Sequence, residues 1–307
     1  MSITWRHATL DDIGPCLAIQ PNNRGDALVG PEACLRCWQR LVDHPFFMSA
    51  VLEANPAILG HRLIGFAAAI IVSSNFLEKQ IADPQPDIAS RLMAQIHSGE
   101  PVLAARHDVA IANAGTGINV VAFHSSWRDE ILNPENVRIV QTLLPASFAE
   151  QLAGFRVHRI LAETAHPPVT EFHKRSVVYQ TVAEFPEPGR VLHLMSRESV
   201  ELIPASVGNI IFTYTEPTLR LRDSDQQLLL AALRGATDQE LIGQLGITSS
   251  AVKARWRSIF ARIEEVMPAL VSDPEDRDGR GTQKRHRVLA YVRSHMEDLR
   301  PYQPALS

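Results

Sequence analysis

Residues 221–263 read LRDSDQQLLLAALRGATDQELIGQLGITSSAVKARWRSIFARI, the most informative stretch of the 307-residue chain. Ser224 is placed to cap a helix whose apolar side holds Leu228, Leu229, Ala232 and Leu233, and Gly235 stops it. Thr237 followed three residues on by Glu240 is a capping box, so a second, short helix starts there and packs Leu241, Ile242 and Leu245. Gly246 ends that helix, because a left-handed backbone is easiest without a Cβ, and Ile247 plugs the core beneath the turn. Thr248 or Ser249 caps a third helix, whose apolar stripe is Val252, Trp256, Ile259, Phe260 and Ile263 at helical spacing.

Three helices joined by turns this short make a helix-turn-helix layout. A rigid turn fixes the second helix against the third, and the third is free to project into a major groove wide enough for one helix. Its exposed side carries Lys253, Arg255, Arg257 and Arg262, with no acid between Ala251 and Arg262. The whole chain has a net charge of −4, so any footing for the phosphates of double-stranded DNA must be local, and this stripe supplies one. Ser249 and Ser250 stand at the helix N-terminus, where hydroxyls and backbone N–H groups grip phosphate. The plainer alternative is a three-helix packing unit with a solvated basic face.

The same residues resemble the LuxR-type helix-turn-helix domain. The match runs through Leu221, Gly235, Thr237, Glu240, Leu241, Leu245, Gly246, Ile247, Thr248, Val252, Lys253 and Ile259. Departures are Ala251 where that family often has a phosphate-touching Thr, Arg255 where His is common, Ile242 for a small Ala, and Gln226–Gln227 in a stretch usually rich in Glu. The resemblance implies a transcriptional regulator that binds DNA as a homodimer, with this module over 217–270.

Upstream the character differs. Short strands read at 3–8, 118–123, 157–163 and 190–195, and Phe46–Glu53 pairs with Leu59–Val72 around a turn at Ala54-Asn55-Pro56. Helices read at 10–20, 31–43, 147–153 and 169–179, with two short ones between 75 and 96. The alternation predicts an α/β domain over 1–205. A charged linker follows the three helices at 272–283, then a basic helix, Lys284–Leu299, within a segment 284–300 that packs on its own domain, dimerises or touches phosphate. The longest apolar run, Leu63–Val72, is half the length a membrane span needs (about 20 residues), and the N-terminus lacks a signal-peptide layout, so a cytoplasmic protein is expected. Cys16, Cys34 and Cys37 are too few for a disulfide framework, and the lone Cys34-Leu-Arg-Cys37 pair lacks further zinc ligands, so no metal is expected.

The opening ITWRHATLDDIGPCLAI is similar to the first strand and helix of GNAT-type N-acyltransferases, and Phe148–Arg156 with VHRILAET and the next helix resembles the acyl-CoA-binding half of that fold. The resemblance implies a mixed sheet with helices and acyl-CoA as the possible cofactor. Yet the glycine cradle for its pyrophosphate is missing: HSSWRDEILNPENVRIVQTLLPASFAE, after the strand INVVAF, holds no glycine, and Asn113-Ala-Gly-Thr-Gly117 lies on the wrong side of that strand. Catalytic candidates are Glu163 and His166 as general base and Tyr179 as general acid. His124, Ser125 and Ser126 lack a neighbouring acid, so no nucleophilic triad is read. Three functions follow: a DNA-binding regulator whose acyltransferase-like domain senses a small-molecule effector or dimerises, an active N-acyltransferase fused to a DNA-binding module, or a scaffold whose three helices bind protein.

Overall fold

The apolar run LIGFAAAIIV becomes the middle of a sheet because strands covered on both faces have no polar side to alternate. In the computed structural model, which describes residues 2–19, 25–187, 189–201, 203, 207–271 and 281–304, this run lies in the third of seven strands. The strands are β1 (Ser2–Arg6), β2 (Phe47–Ile58), β3 (His61–Val72), β4 (Ile118–Trp127), β5 (Val157–Thr164), β6 (Tyr179–Phe185) and β7 (Arg190–Ser196). They form one sheet in the order β1-β2-β3-β4-β5-β7-β6, with β4–β5 its parallel pair. The helices before the boundary are α1 (Leu10–Leu17), α2 (Pro31–Val42), α3 (Ser74–Ala82), α4 (Ile88–Ser98), α5 (Arg106–Ala114), α6 (Pro134–Leu152), α7 (Pro167–Arg175), α8 (Arg197–Glu201) and α9 (Val207–Phe212). Those after it are α10 (Asp223–Leu233), α11 (Asp238–Leu245), α12 (Ser249–Val266), α13 (Pro268–Val271) and α14 (Gly281–Ser294).

The chain divides into two compact units. One takes 1–108, 116–152 and 157–213; the other takes 109–115, 153–156 and 214–307. Of the linker read at 272–283, residues 272–280 lie outside the described residues, as does residue 205, the end drawn for the first domain.

In the α/β unit, Phe66, Ala68, Ile70 and Val72 alternate onto one face of β3 and pack with Ile13 of α1, Trp38 and Leu41 of α2 and Leu92 of α4. On the other face Leu52, Ile64 and Trp127 meet Val140 and Leu144 of α6. The β2–β3 turn is at Leu59-Gly60, not at Ala54-Asn55-Pro56. Leu59 and Gly60 both take positive φ (46° and 82°), as a two-residue hairpin turn requires, while Pro56 falls in a register irregularity of β2 between Glu53 and Ile58. Helix α6 is far longer than the segment read at 147–153: burial of Val140 and Leu144 carries it through Pro145. Helix α7 ends at Arg175, so Tyr179 opens strand β6 rather than closing a helix.

The sheet is irregular along β4. The β4–β5 ladder runs from Ile118↔Val157 to Ala122↔Ala162 and then stops, although both strands continue. At the same level β4 slips against β3, pairing Ala122 with Ala69 and His124 with Ala68, so Phe123 is the extra residue. A bulge increases local twist and re-aims the strand, here away from β5.

In the second unit the caps follow the sequence closely. Thr237 and Glu240 close a reciprocal capping box (2.7 and 3.3 Å), Gly246 is left-handed (φ 60°, ψ 35°), and the Thr248 hydroxyl accepts from Ala251 N at 3.2 Å. Ser224, however, is not a cap: α10 begins at Asp223 with Arg222 at the N-cap position and no side-chain cap bond. Leu228, Leu229, Leu241, Val252, Trp256, Ile259 and Ile263 share one core with Val288 and Val292 of α14. The terminal helix stops at Ser294 instead of Leu299; a tight turn, Met296–Leu299, replaces its last turn because Asp298, fully buried, accepts from Leu219 N (2.6 Å) and the Tyr291 hydroxyl (3.0 Å).

Candidate nucleic-acid interface and the α/β site

The outer face of α12 is built by its own periodicity. With Val252, Trp256, Ile259 and Ile263 inward, Ser249, Ser250, Lys253, Ala254, Arg257 and Ala261 stand exposed on the opposite side. Small alanines between the cations leave the face low, which suits close approach to a groove. The acids of the helix, Glu264 and Glu265, come only in its last turns. The six residues expected to touch DNA separate into two groups. Ser249, Ser250, Lys253 and Arg257 lie on the exposed face, with the Ser250 hydroxyl 2.9 Å from that of Thr248. Arg255 and Arg262 do structural work: Arg255 donates to Ser224 O at 3.2 Å, and Arg262 donates to Leu219 O at 2.7 Å and pairs with Glu265 at 2.8 Å. Both brace the chain entering α10 against α12. Both residues are half-buried.

In the α/β unit the three expected catalytic residues meet different fates. Glu163 is the next-to-last residue of β5, with its side chain 4% exposed, accepting from Asp87 N (2.7 Å), Ile88 N (3.3 Å) and Arg190 (2.9 Å). Burial pushes its carboxyl up, and Arg190 opposes that. Both oxygens accept hydrogen bonds, capping the start of α4 and holding Arg190, so the carboxylate ties β5 to α4 and β7. His166 is the N-cap residue of α7, with Nε2 at 2.9 Å from Asp129, whose other oxygen accepts from Trp127 Nε1 at 2.6 Å. The Trp127 and His166 rings lie 4.9 Å apart. This Trp–Asp–His chain follows the ends of the two strands that separate, β4 and β5.

Tyr179 stacks on His173 at 4.0 Å, and His193 stands edge-on to His173 at 5.0 Å. His193 reaches Thr164 at 3.2 Å, and Thr164 reaches Thr170 at 2.9 Å. Burial holds both imidazoles down to about 4, so they are neutral at pH 7, and it pushes the Tyr179 phenol up. The sequence reading missed His173 and His193. The available signal was a polar residue inside the apolar strand VLHLM, and a period-two pattern in VYQTVAEF that places Tyr179 on a strand. His124 Nε2 lies 3.0 Å from the Ser126 hydroxyl, but both residues are buried (3% and 0%), which removes that pair from substrate.

The segment where a phosphate cradle would sit, between β4 and α6, is filled instead. Asn133 Oδ1 caps α6 by accepting from Asn136 N at 2.9 Å, and Glu135 puts a carboxylate in its first turn, while Asp129 and Glu130 lie in the short turn Asp129–Ile131 before it. Arg128 there is spent on Leu63 O (3.2 Å) and Glu130 (3.5 Å). Acids at a helix N-terminus complement its dipole and repel a phosphate. Cys34 and Cys37 are buried free thiols, with Cys34 pushed up to about 12 by burial. Among the described residues no group of three or more His, Cys, Asp or Glu converges as a metal site, and no helix is long and apolar enough to cross a membrane.

No protein-family model and no curated protein matches the chain. Among solved structures, it is similar to an acetyltransferase from Thermus thermophilus (13% identity, TM-score 0.33, covering 64% of this chain and 97% of that one). It is also similar to FeeM, an N-acyl amino acid synthase from uncultured soil microbes (10%, 0.36, 64% and 91%), and to the spermidine/spermine N-acetyltransferase SpeG from Vibrio cholerae (11%, 0.33, 63% and 91%). The mixed α/β assignment stands on the strand order and registers given above.

Proposed function

We propose that the chain is a DNA-binding regulator of the LuxR type: α11 and α12 form the helix-turn-helix, and the α/β unit serves as an acyltransferase-like module for sensing a small molecule or for dimerising. The observation that carries this is the outer face of α12, where Ser249, Ser250, Lys253 and Arg257 are exposed together while the acids are confined to the helix's last turns. The N-terminal half of such a helix reads base edges while the flanking cations hold phosphates. In a homodimer two such helices would engage half-sites about 34 Å apart. The bracing of α12 by Arg255 and Arg262 supports a rigid presentation of that face.

A second reading, an active N-acyltransferase using acyl-CoA, draws on the parting of β4 and β5 beyond Ala122 and Ala162 and the bulge at Phe123. That opening is a place for an extended acyl-donor arm to pair with strand backbone, and His166 oriented by Asp129 would be the base beside it. The filled, acidic cap of α6 weighs against a pyrophosphate there. The deciding experiment is fluorescence anisotropy of a labelled random-sequence duplex with the full chain. Binding in the micromolar range that falls steeply with salt supports the regulator; no binding at low salt sinks it.

A further inference from the structure

We propose that the cleft of about 410 Å³ lined by Arg220, Arg222, Asp225, Ser258, Arg262 and Glu265 is a binding site for a phosphoryl group. It lies between the chain entering α10 and the C-terminal half of α12, apart from Lys253 and Arg257; with a free ligand it goes beyond the duplex reading, and with a DNA phosphate it rests on that reading. The charges sort as follows. Arg262 and Glu265 neutralise each other at 2.8 Å. Asp225, 3% exposed, is held by the Ser258 hydroxyl at 3.0 Å, and burial disfavours its charge. Two guanidinia remain. Arg222 is exposed and makes no ion pair among the described residues, and Arg220 has only Glu216 at 3.9 Å, with both of those side chains more than half exposed. Two guanidinia, Arg220 offset only by the exposed Glu216 and Arg222 only by the buried Asp225 whose charge is disfavoured, line a concave site and match the oxygens of a phosphoryl group.

The backbone gives a second, independent observation. Arg220 has φ 45°, a left-handed conformation that a long L-residue rarely takes, and its guanidinium lies over the Tyr302 ring at 5.5 Å. A glycine would hold this turn without strain, yet an arginine occupies it. Strain kept at a charged residue lining a cleft points to a functional demand on that side chain. The volume suits a mononucleotide-sized anion. The phosphoryl group has two sources, a free phosphorylated small molecule or a backbone phosphate of bound DNA.

The test titrates the full chain with inorganic phosphate and with adenosine monophosphate by calorimetry at low salt, and with a random-sequence duplex by anisotropy. The variants are Arg220→Gly, Arg222→Gln, Arg222→Lys and Lys253→Ala. Saturable binding of either small anion, weakened at least about tenfold by Arg222→Gln and Arg220→Gly but not by Lys253→Ala, establishes the free-ligand source. The Arg220→Gly protein should melt no lower than wild type, which separates recognition from a structural role, and Arg222→Lys should recover part of the affinity. If neither small anion binds but Arg222→Gln makes the salt dependence of duplex binding shallower by about one unit of slope, the source is the DNA backbone. If no titration responds to Arg220→Gly or Arg222→Gln, the site does not exist. A Lys253→Ala protein with unaltered duplex binding removes Lys253 from the duplex contacts and leaves the small-anion titration standing.

Discussion

Acidification should weaken the α/β unit through His193, and the size of the effect follows from where that imidazole sits. The residue is fully buried in β7, and its pKa is held to about 4 against an ordinary 6.5. Below 6.5 the unfolded chain takes up a proton that the folded chain refuses until about 4. The unfolded state therefore binds more protons throughout that window, and stability is fully present above 6.5 and lost as pH falls through it. For one imidazole the loss amounts to about 2 kcal/mol by pH 5. His173 acts in the same direction, and each would-be cation adds to the other's cost across 5.0 Å. Glu163, with its carboxyl pushed up, acts oppositely over part of the range, and Lys174 and Glu184 bear on His193 with opposite signs. The difference between wild type and His193→Gln cancels the groups that the two proteins share. Urea unfolding of the full chain, followed by tryptophan fluorescence, reports chiefly on this unit, which holds Trp5, Trp38 and Trp127. Wild type should lose about 2 kcal/mol more than His193→Gln between pH 7 and pH 5. Parallel curves for the two proteins would refute a neutral buried His193.

Gly154→Ala should cost the second unit about 3 kcal/mol, because position 154 has φ 81° and an added Cβ would land on the backbone of Met296 and Glu297; a urea midpoint unchanged within error would contradict that close approach. Glu163→Gln should cost the α/β unit about 2–4 kcal/mol by leaving Arg190 without its buried carboxylate, again read by urea unfolding. The purified chain should release no CoA from acetyl-CoA above background with amine acceptors. Steady release that His166→Gln abolishes at an unchanged melting temperature would establish the acyltransferase reading instead.

Much of the second unit was legible because its signals are local. The Thr237–Glu240 box, Gly246 and the Thr248 cap are each fixed by residues three or four apart, and they appear as read. Ser224 failed as a cap because the helix starts at Asp223, two residues before the start a Ser224 cap would give, with Arg222 O accepting from Asp225 N and Gln226 N. The strands were legible where apolar residues ran continuously, as at 63–72. They were not at Tyr179–Phe185, where no strand was read and the preceding helix was carried on to Tyr179. The hairpin turn was misplaced because Asn55-Pro56 is the stronger written turn signal, whereas Leu59-Gly60 is selected by the pairing of Ile58 with His61. The candidate sites were least legible. Bonds that occupy Glu163 come from Asp87, Ile88 and Arg190, and those that occupy Arg255 and Arg262 come from Ser224 and Leu219, all distant in sequence. A charge counted along one helix shows its sign but not the carbonyl it is tied to.

The most direct test of duplex recognition by α12 is the slope of log K against log salt for a random-sequence duplex, measured on wild type and on Lys253→Ala. Lys253 is exposed on the outer face of α12 and contributes nothing to its core, so the substitution should leave the melting temperature in place. The expected result is weaker binding and a slope shallower by about one unit. Equal affinities and equal slopes for the two proteins would contradict it.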